Sequence, residues 1–264
     1  MFADGLLKGK VALVTGGGTG IGFAIADAYA RYGADVAIAS RNLERLEAKA
    51  EALRVHGGRV LAIQVDVRDS AAVDAMIAQV VGELGGLDIM VNNAAGNFFC
   101  PSVALSDRAW NSVVGIDLNG TFFCCRAAGK VMMERGGGRI LSIVATLASK
   151  GFPGMAHMTA AKAGIEALTR TLAAEWGEFG IRVNAISPGP IVTEGVLKAF
   201  QVSPEILEQT AGALPLGRWG RPEEVAQVAV MLASPMADFV TGSTWVIDGG
   251  ESLGANMMRL QRLE

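Results

Sequence analysis

The chain has 264 residues, 51% of them hydrophobic and 19% charged, with 34 glycines and a formal net charge of −3. That length suits one large α/β domain, so many aliphatics exclude a disordered linker, glycine without a Gly-X-Y period excludes collagen, and the mild acidity argues against a nucleic-acid partner. Three cysteines make no disulfide framework and point to a reducing, cytoplasmic setting, while the absence of a signal peptide or an apolar run of about 18 residues argues against secretion and a membrane partner.

Residues 10–15 (KVALVT) read as a buried strand, followed by a glycine-rich turn and a helix through 25–32. Residues 35–39 form a second strand, and 42–55 carry Leu43, Leu46, Ala50 and Leu53 at helical spacing. A third strand at 60–65 precedes a helix at 70–81. Strands four to seven fall at 87–92, 139–143, 182–186 and 244–247, with helices at 106–134, 157–178 and 222–234. Strands alternating with helices predict a single Rossmann-type domain over 1–264, a doubly wound seven-stranded parallel sheet flanked by helices. The stretch from about 188 to 221, containing Pro204 and Pro215, reads as the longest irregular region. Its part from about 190 to 220 is a candidate substrate lid, with Val196, Leu197, Phe200, Ile206 and Leu207 facing an acyl chain, or else an ordinary surface helix pair.

After the first strand stands Thr15-Gly16-Gly17-Gly18-Thr19-Gly20-Ile21-Gly22, opening a helix. In this strand–turn–helix context, backbone N–H groups approach a pyrophosphate and the helix N-terminus favours its charge. Gly16, Thr19, Gly20 and Ile21 are the candidate contacts. The second strand ends in Ser40-Arg41, where an acid would bond the adenosine ribose and repel a 2′-phosphate. A hydroxyl and a guanidinium there favour NADP(H), unless Arg41 is merely a solvated residue at a helix start. Asp66 and Val67 after strand three, and Asn93, Ala94, Ala95 and Gly96 after strand four, complete a cofactor cleft at the carboxyl ends of the strands.

TGGGTGIG, NNAAG, AAKAG, RVNAISPGP and VIDGG together resemble the short-chain dehydrogenase/reductase family over about residues 8–250. The resemblance adds Pro188, Gly189 and Ile191 to the cofactor set and implies a homotetramer with the helices 106–134 and 157–178 between subunits. It also exposes departures. The family's lysine is present as Lys162, which would hold the nicotinamide ribose, but Met158 stands at its catalytic tyrosine, Ala145 at its serine and Asp117 at its asparagine. Methionine has no proton to give and alanine cannot orient a carbonyl oxygen. The chain's two tyrosines, Tyr29 and Tyr32, lie on the first helix and cannot stand in.

One branch lacks that tyrosine: the 2,4-dienoyl-CoA reductases. The segment 92–101 (NNAAGNFFCP), Ala145-Thr146-Leu147 and the segment 186–191 resemble it, nearer to its peroxisomal type, which has an acid at the Asp117 position. The mitochondrial type instead has a tyrosine where Leu147 stands. The resemblance implies conjugate hydride addition to a dienoyl thioester, oxyanion donation by Asn97, and a water held by Lys162 and Asp117 that protonates the α-carbon. It further implies Arg68 and Phe98 against the coenzyme A moiety, with Met158 lining the acyl pocket. Each has a plainer reading: Asn97 as a turn residue, Asp117 as a structural partner of Lys162. His157 beside Met158 is set aside, since adjacent helix residues point in different directions. Cys124 and Cys125 read as core residues, and no metal is expected. Two rivals remain, an ordinary NADP-dependent ketoreductase and a nucleotide-binding scaffold with a decayed site. The C-terminal Arg262-Leu263-Glu264 is not a peroxisomal S-K-L address.

Overall fold

Seven short aliphatic runs become the strands β1 (Val11–Thr15), β2 (Asp35–Ser40), β3 (Val60–Gln64), β4 (Ile89–Asn92), β5 (Gly138–Ile143), β6 (Ile181–Pro188) and β7 (Thr244–Ile247) of a computed structural model that describes residues 2–199 and 202–253. Phe200, expected in the lid, and Arg262, Leu263 and Glu264 lie outside the described residues. All six pairings are parallel and the order is β3-β2-β1-β4-β5-β6-β7, the doubly wound sheet that the alternating pattern predicts.

Successive side chains of a strand serve opposite faces. Ala12 and Val14 belong to the layer of Ile25 and Tyr29 on α1 (Gly20–Arg31), Leu46 and Leu53 on α2 (Leu43–Arg54) and Ala229 on α10 (Pro222–Ala233). Val11 and Leu13 belong to the opposite layer, with Val73 and Ile77 of α3 (Ser70–Leu84), Cys124 and Ala128 of α5 (Gly120–Glu134) and Leu172 of α7 (Ala156–Trp176). Helices on both faces explain why the strands read as unbroken apolar runs. The winding direction changes between β1 and β4, which opens a crevice at their carboxyl ends.

Local departures have identifiable causes. α1 starts at Gly20, inside the glycine-rich turn and ahead of the apolar pattern at 25–32, since glycines add nothing to the apolar periodicity that marks a helix in the sequence. The helix expected over 106–134 is divided into α4 (Asp107–Val114), a π-helical turn at Gly115–Asn119, and α5. The stretch 188–221 is not irregular throughout. It contains α8 (Glu194–Ala199) and α9 (Pro204–Gly212), and Pro204 opens α9 with Ser203 capping the Ile206 N–H at 3.3 Å. Proline is pre-organised for a first helical position, so it starts this helix rather than ending one. A short helix, α6 (Leu147–Lys150), follows β5.

Cys124 and Cys125 are buried on α5, and burial pushes both thiols above their ordinary pKa, in keeping with core residues. Tyr29 is fully buried and donates its hydroxyl to the Ala229 carbonyl at 3.1 Å, tying α1 to α10. Tyr29→Phe is expected to cost about 1 kcal/mol and lower Tm by about 2–4 °C without affecting catalysis; an unchanged thermal midpoint in calorimetry would show that the bond contributes nothing net.

Candidate active site

The crevice between β1 and β4 is braced by a small set of polar side chains. The Thr15 hydroxyl donates to the Val91 carbonyl at 3.2 Å and accepts from the N–H groups of Asn93 (3.1 Å) and Ala94 (3.2 Å). The Asn93 amide in turn donates to the carbonyls of Thr15 (3.1 Å) and Gly16 (3.2 Å). Asn93 therefore spends its amide on holding the turn. Gly16 sits at φ +64°, and a Cβ at Gly22 would lie 2.5 Å from the Gly16 carbonyl and on top of the Asn93 amide, so this approach requires glycine. Thr19, the N-cap of α1, makes no side-chain cap bond. The first turn of the helix thus keeps N–H groups for an anion, which fits a dinucleotide pyrophosphate.

At the end of β2, Ser40 accepts from the Asn42 N–H at 3.4 Å, and Asn42 caps α2 through Arg45 N–H at 2.8 Å. Arg41 is exposed, and its backbone carbonyl takes the Gln64 amide at 2.9 Å. Its guanidinium has no carboxylate in ion-pair contact among the described residues. Arg45 was not singled out in the sequence, yet its side-chain stem lies 3.7 Å from a Cβ placed at Gly18 in the glycine-rich turn. No motif marks it; only the packing of α2 beside the turn does. Asp66 is engaged by Arg68, whose Nε lies 2.9 and 3.0 Å from its two carboxylate oxygens, and these hydrogen bonds hold the carboxyl below the usual range. Arg68 is therefore exposed and tied to Asp66. Val67 is buried.

Thr193, after β6, likewise escaped the sequence reading. It covers the glycine-rich turn, its methyl 3.3 Å from a Cβ at Gly20. Nearby, Ile191 pairs with Gly220 in an isolated bridge, Pro188 accepts from Thr146 N–H at 3.3 Å, and the Gly189 N–H donates to Ile247 at 2.9 Å. Beyond β5, Glu251 accepts the Thr146 hydroxyl at 2.6 Å and pairs with Lys150, bracing α6.

Deeper in the crevice the π-helical turn places Asp117 inward. It is fully buried, with Oδ1 accepting from the Gly96 N–H at 2.8 Å and Oδ2 lying 3.3 Å from Lys162 Nζ. Lys162, 4% exposed, also donates to the Ile143 carbonyl at 2.9 Å. Two residues 45 positions apart in the sequence thus form one buried ion pair. Met158 lies one turn earlier on α7 and Ala145 just past β5, both half-buried, and neither carries a transferable proton.

Asn97, half-buried, has its Oδ1 enclosed and without a hydrogen-bond partner. Phe98 next to it sets its ring edge-on against His157, 4.4 Å between centroids. His157, set aside as an acid on sequence grounds, lies beside these residues. It is fully buried on the site side, in the first turn of α7, where its Nδ1 accepts the Met158 N–H at 2.7 Å. Burial holds its pKa below the ordinary value, against the opposing pull of the Asp117 charge and the Phe98 carbonyl. Adjacent residues do diverge on a helix, but the Phe98 ring of the loop after β4 packs on His157.

A family model described as enoyl-(acyl carrier protein) reductase matches residues 16–252. A probable 2,4-dienoyl-CoA reductase of Bacillus subtilis, described as (2E)-enoyl-CoA-producing, is 42% identical over 249 residues, covering 94% of this chain and 98% of that protein. The peroxisomal 2,4-dienoyl-CoA reductase of Pongo abelii, described as (3E)-enoyl-CoA-producing, is 44% identical over 252 residues, covering 95% and 86%. Among solved structures, a short chain dehydrogenase of Bacillus anthracis superposes with a TM-score of 0.84 at 42% identity, covering 97% and 98% of the two chains. A short-chain type dehydrogenase/reductase of Mycobacterium marinum gives 0.87 at 35% identity, covering 92% and 96%.

Proposed function

This chain belongs to the short-chain dehydrogenase/reductase family, and we propose that it reduces 2,4-dienoyl-CoA thioesters with NADPH to 3-enoyl-CoA. One observation carries the reading: a lysine ammonium buried against a carboxylate at the carboxyl end of the sheet, with methionine and alanine in place of hydroxyl groups beside it. A ketone reductase of this family gives a proton to the carbonyl oxygen from a tyrosine hydroxyl, and Met158 stands at that position. The relatives from Bacillus subtilis and Pongo abelii support the same reading by name.

NADPH, when bound, supplies the hydride received at the distal diene carbon, C5. The electron pair displaced toward the thioester spreads over the conjugated carbons and the thioester oxygen. Asn97 offers its amide N–H to that oxygen, and a donor of this kind is worth about 3 kcal/mol of barrier. Lys162 and Asp117 pair at 3.3 Å and orient a water whose proton goes to the α-carbon, leaving the double bond between C3 and C4. Lys162 also reaches the nicotinamide ribose, and Met158 with Phe98 forms an apolar wall to the acyl side. A second reading, favoured by the (2E) product named for the Bacillus subtilis relative, delivers the proton to C4 instead.

Ser40, Arg41 and, as an addition from the structure, Arg45 suit a ribose 2′-phosphate, since guanidinium groups fork onto phosphate. Gly16, Thr19, Gly20 and Ile21 serve the pyrophosphate, Asp66 and Val67 the adenine, and Ala94, Ala95, Gly96, Pro188, Gly189 and Ile191 the nicotinamide half, with Asn93 as the brace. Arg68 and Phe98 face the coenzyme A moiety, with α8 and α9 as the lid of the 190–220 segment. No helix among the described residues is long and apolar enough to cross a membrane, and the free cysteines, Cys124 and Cys125 buried and Cys100 partly so, support a cytoplasmic setting. Trp110 and Phe122 on α4 and α5, and Trp245 and Val246 on the edge strand β7, leave exposed apolar faces that suit a homotetramer.

The deciding assay is NADPH oxidation with 2,4-hexadienoyl-CoA beside crotonyl-CoA and acetoacetyl-CoA, with NMR of the product. Turnover of the dienoyl thioester alone is expected. Reduction of acetoacetyl-CoA would restore the ketoreductase, and NADPH binding with no turnover would leave a decayed scaffold. In the same assay Lys162→Ala should lower kcat by about 10³-fold and Asn97→Ala by about 10²-fold. Arg41→Ala should reduce the preference for NADPH over NADH about tenfold; an unchanged ratio removes Arg41 from 2′-phosphate recognition. Sedimentation equilibrium should give a tetramer mass, and a monomer would refute the assembly.

A further inference from the structure

Three buried polar atoms of the site have no hydrogen-bond partner: Asp117 Oδ2, Asn97 Oδ1 and His157 Nε2. They belong to segments that the fold ties together. The Gly96 N–H is bound to Asp117 Oδ1 at 2.8 Å, fixing the 96–98 loop to the π-helical turn, and the Phe98 ring packs on His157. The tautomer of His157 follows from its other nitrogen. Nδ1 accepts the Met158 N–H at 2.7 Å, so in the neutral ring Nε2 carries the proton. The Phe98 carbonyl is close enough to act on the ring but makes no hydrogen bond of good geometry to Nε2. Asp117 Oδ2 has the Lys162 ammonium at 3.3 Å as an ion partner but no hydrogen bond, and this donor and two acceptors, costly to bury without hydrogen bonds, are complementary to a single water, which accepts one hydrogen bond and donates two.

We propose that His157 is a positioning residue of the reduction: its Nε2–H holds a water that donates to Asp117 and Asn97 in the resting site, and with substrate bound the O–H bond that faced Asn97 turns to the substrate α-carbon while the other stays on Asp117. This rests on the dienoyl-CoA reductase reading above. In the protonation step the O–H bond breaks as the Cα–H bond forms, and the hydroxide left takes a proton from the Lys162 ammonium. Lysine regains its proton from solvent after product leaves. His157 donates a hydrogen bond throughout and transfers no proton.

The two ring nitrogens are separable by substitution. His157→Asn keeps an acceptor near Nδ1 for the Met158 N–H but nothing at Nε2, whereas His157→Gln places an amide N–H near Nε2. His157→Asn should lower kcat about thirtyfold, with KM for 2,4-hexadienoyl-CoA and NADPH Kd each within about threefold of wild type, and His157→Gln should restore kcat to within about threefold. An unchanged kcat in His157→Asn, a rise in KM alone, or equal loss in both variants would overturn the assignment, since a merely structural ring predicts these. The chain has two histidines, so ¹⁵N NMR of wild type with NADP⁺ reads the tautomer without any substitution. The Nε2–H form is expected, and the Nδ1–H form overturns the proposal. Failure of wild type itself to turn over the dienoyl thioester would instead overturn the reductase reading, and this assignment with it.

Discussion

A lysine ammonium buried at the carboxyl end of a parallel sheet sets terms for everything around it. Lys162 is 4% exposed, and an unpaired charge so placed costs several kcal/mol. It is met by the Ile143 carbonyl at 2.9 Å and the Asp117 carboxylate at 3.3 Å, which draws together the end of β5, helix α7 and the π-helical turn before α5. Asp117, itself fully buried, needs more than one partner, and its second oxygen takes the Gly96 N–H. The loop after β4 is thereby fixed as well. Four segments remote in sequence converge because one charge has to be satisfied.

The nucleotide side of the crevice divides its labour differently. Side chains there bond mainly to the protein: Thr15 and Asn93 knit β1 to β4, and Asn42 caps α2. What remains for a ligand is backbone, the uncapped N-terminal turn of α1 beneath glycines that admit no Cβ, together with the exposed guanidinium groups of Arg41 and Arg45 at its border. Backbone donors cost no side-chain entropy when a pyrophosphate arrives, and the turn is rigid before binding because its polar side chains are already committed.

The catalytic side shows the opposite economy. Where the family carries hydroxyl groups, Met158 and Ala145 offer none, and the buried polar side chains beside them include the Asp117–Lys162 pair and the imidazole of His157. Buried acceptor atoms that make no hydrogen bond lie there on Asn97 and on Asp117, whose Oδ2 has Lys162 as its ion partner. Such unsatisfied atoms are rare in folded interiors and mark places where a bound molecule completes the set. Loss of two hydroxyls and retention of a charged pair are consistent with chemistry in which the reacting carbons, rather than a carbonyl oxygen, receive both hydride and proton.

Much of this was legible in the residues alone. The seven strands, their parallel order and the glycine-rich turn follow from apolar runs, alternation and spacing, which are properties of the local backbone and hold wherever the chain goes. Lys162, Met158 and Ala145 were legible by position within motifs. The helix over 106–134 was legible only as a helix: the π-helical turn that rotates Asp117 inward has no apolar signature, and the helices α8 and α9 were legible only as one of two readings of the segment, a surface helix pair or a lid. Arg45 beside the glycine-rich turn, Arg68 tied to Asp66, and His157 facing Asp117 and Phe98 were decided by tertiary structure alone. The physical reason is the same in each case: sequence spacing determines which residues share an element, whereas burial, ion pairing and the direction of a side chain depend on which other element packs against it.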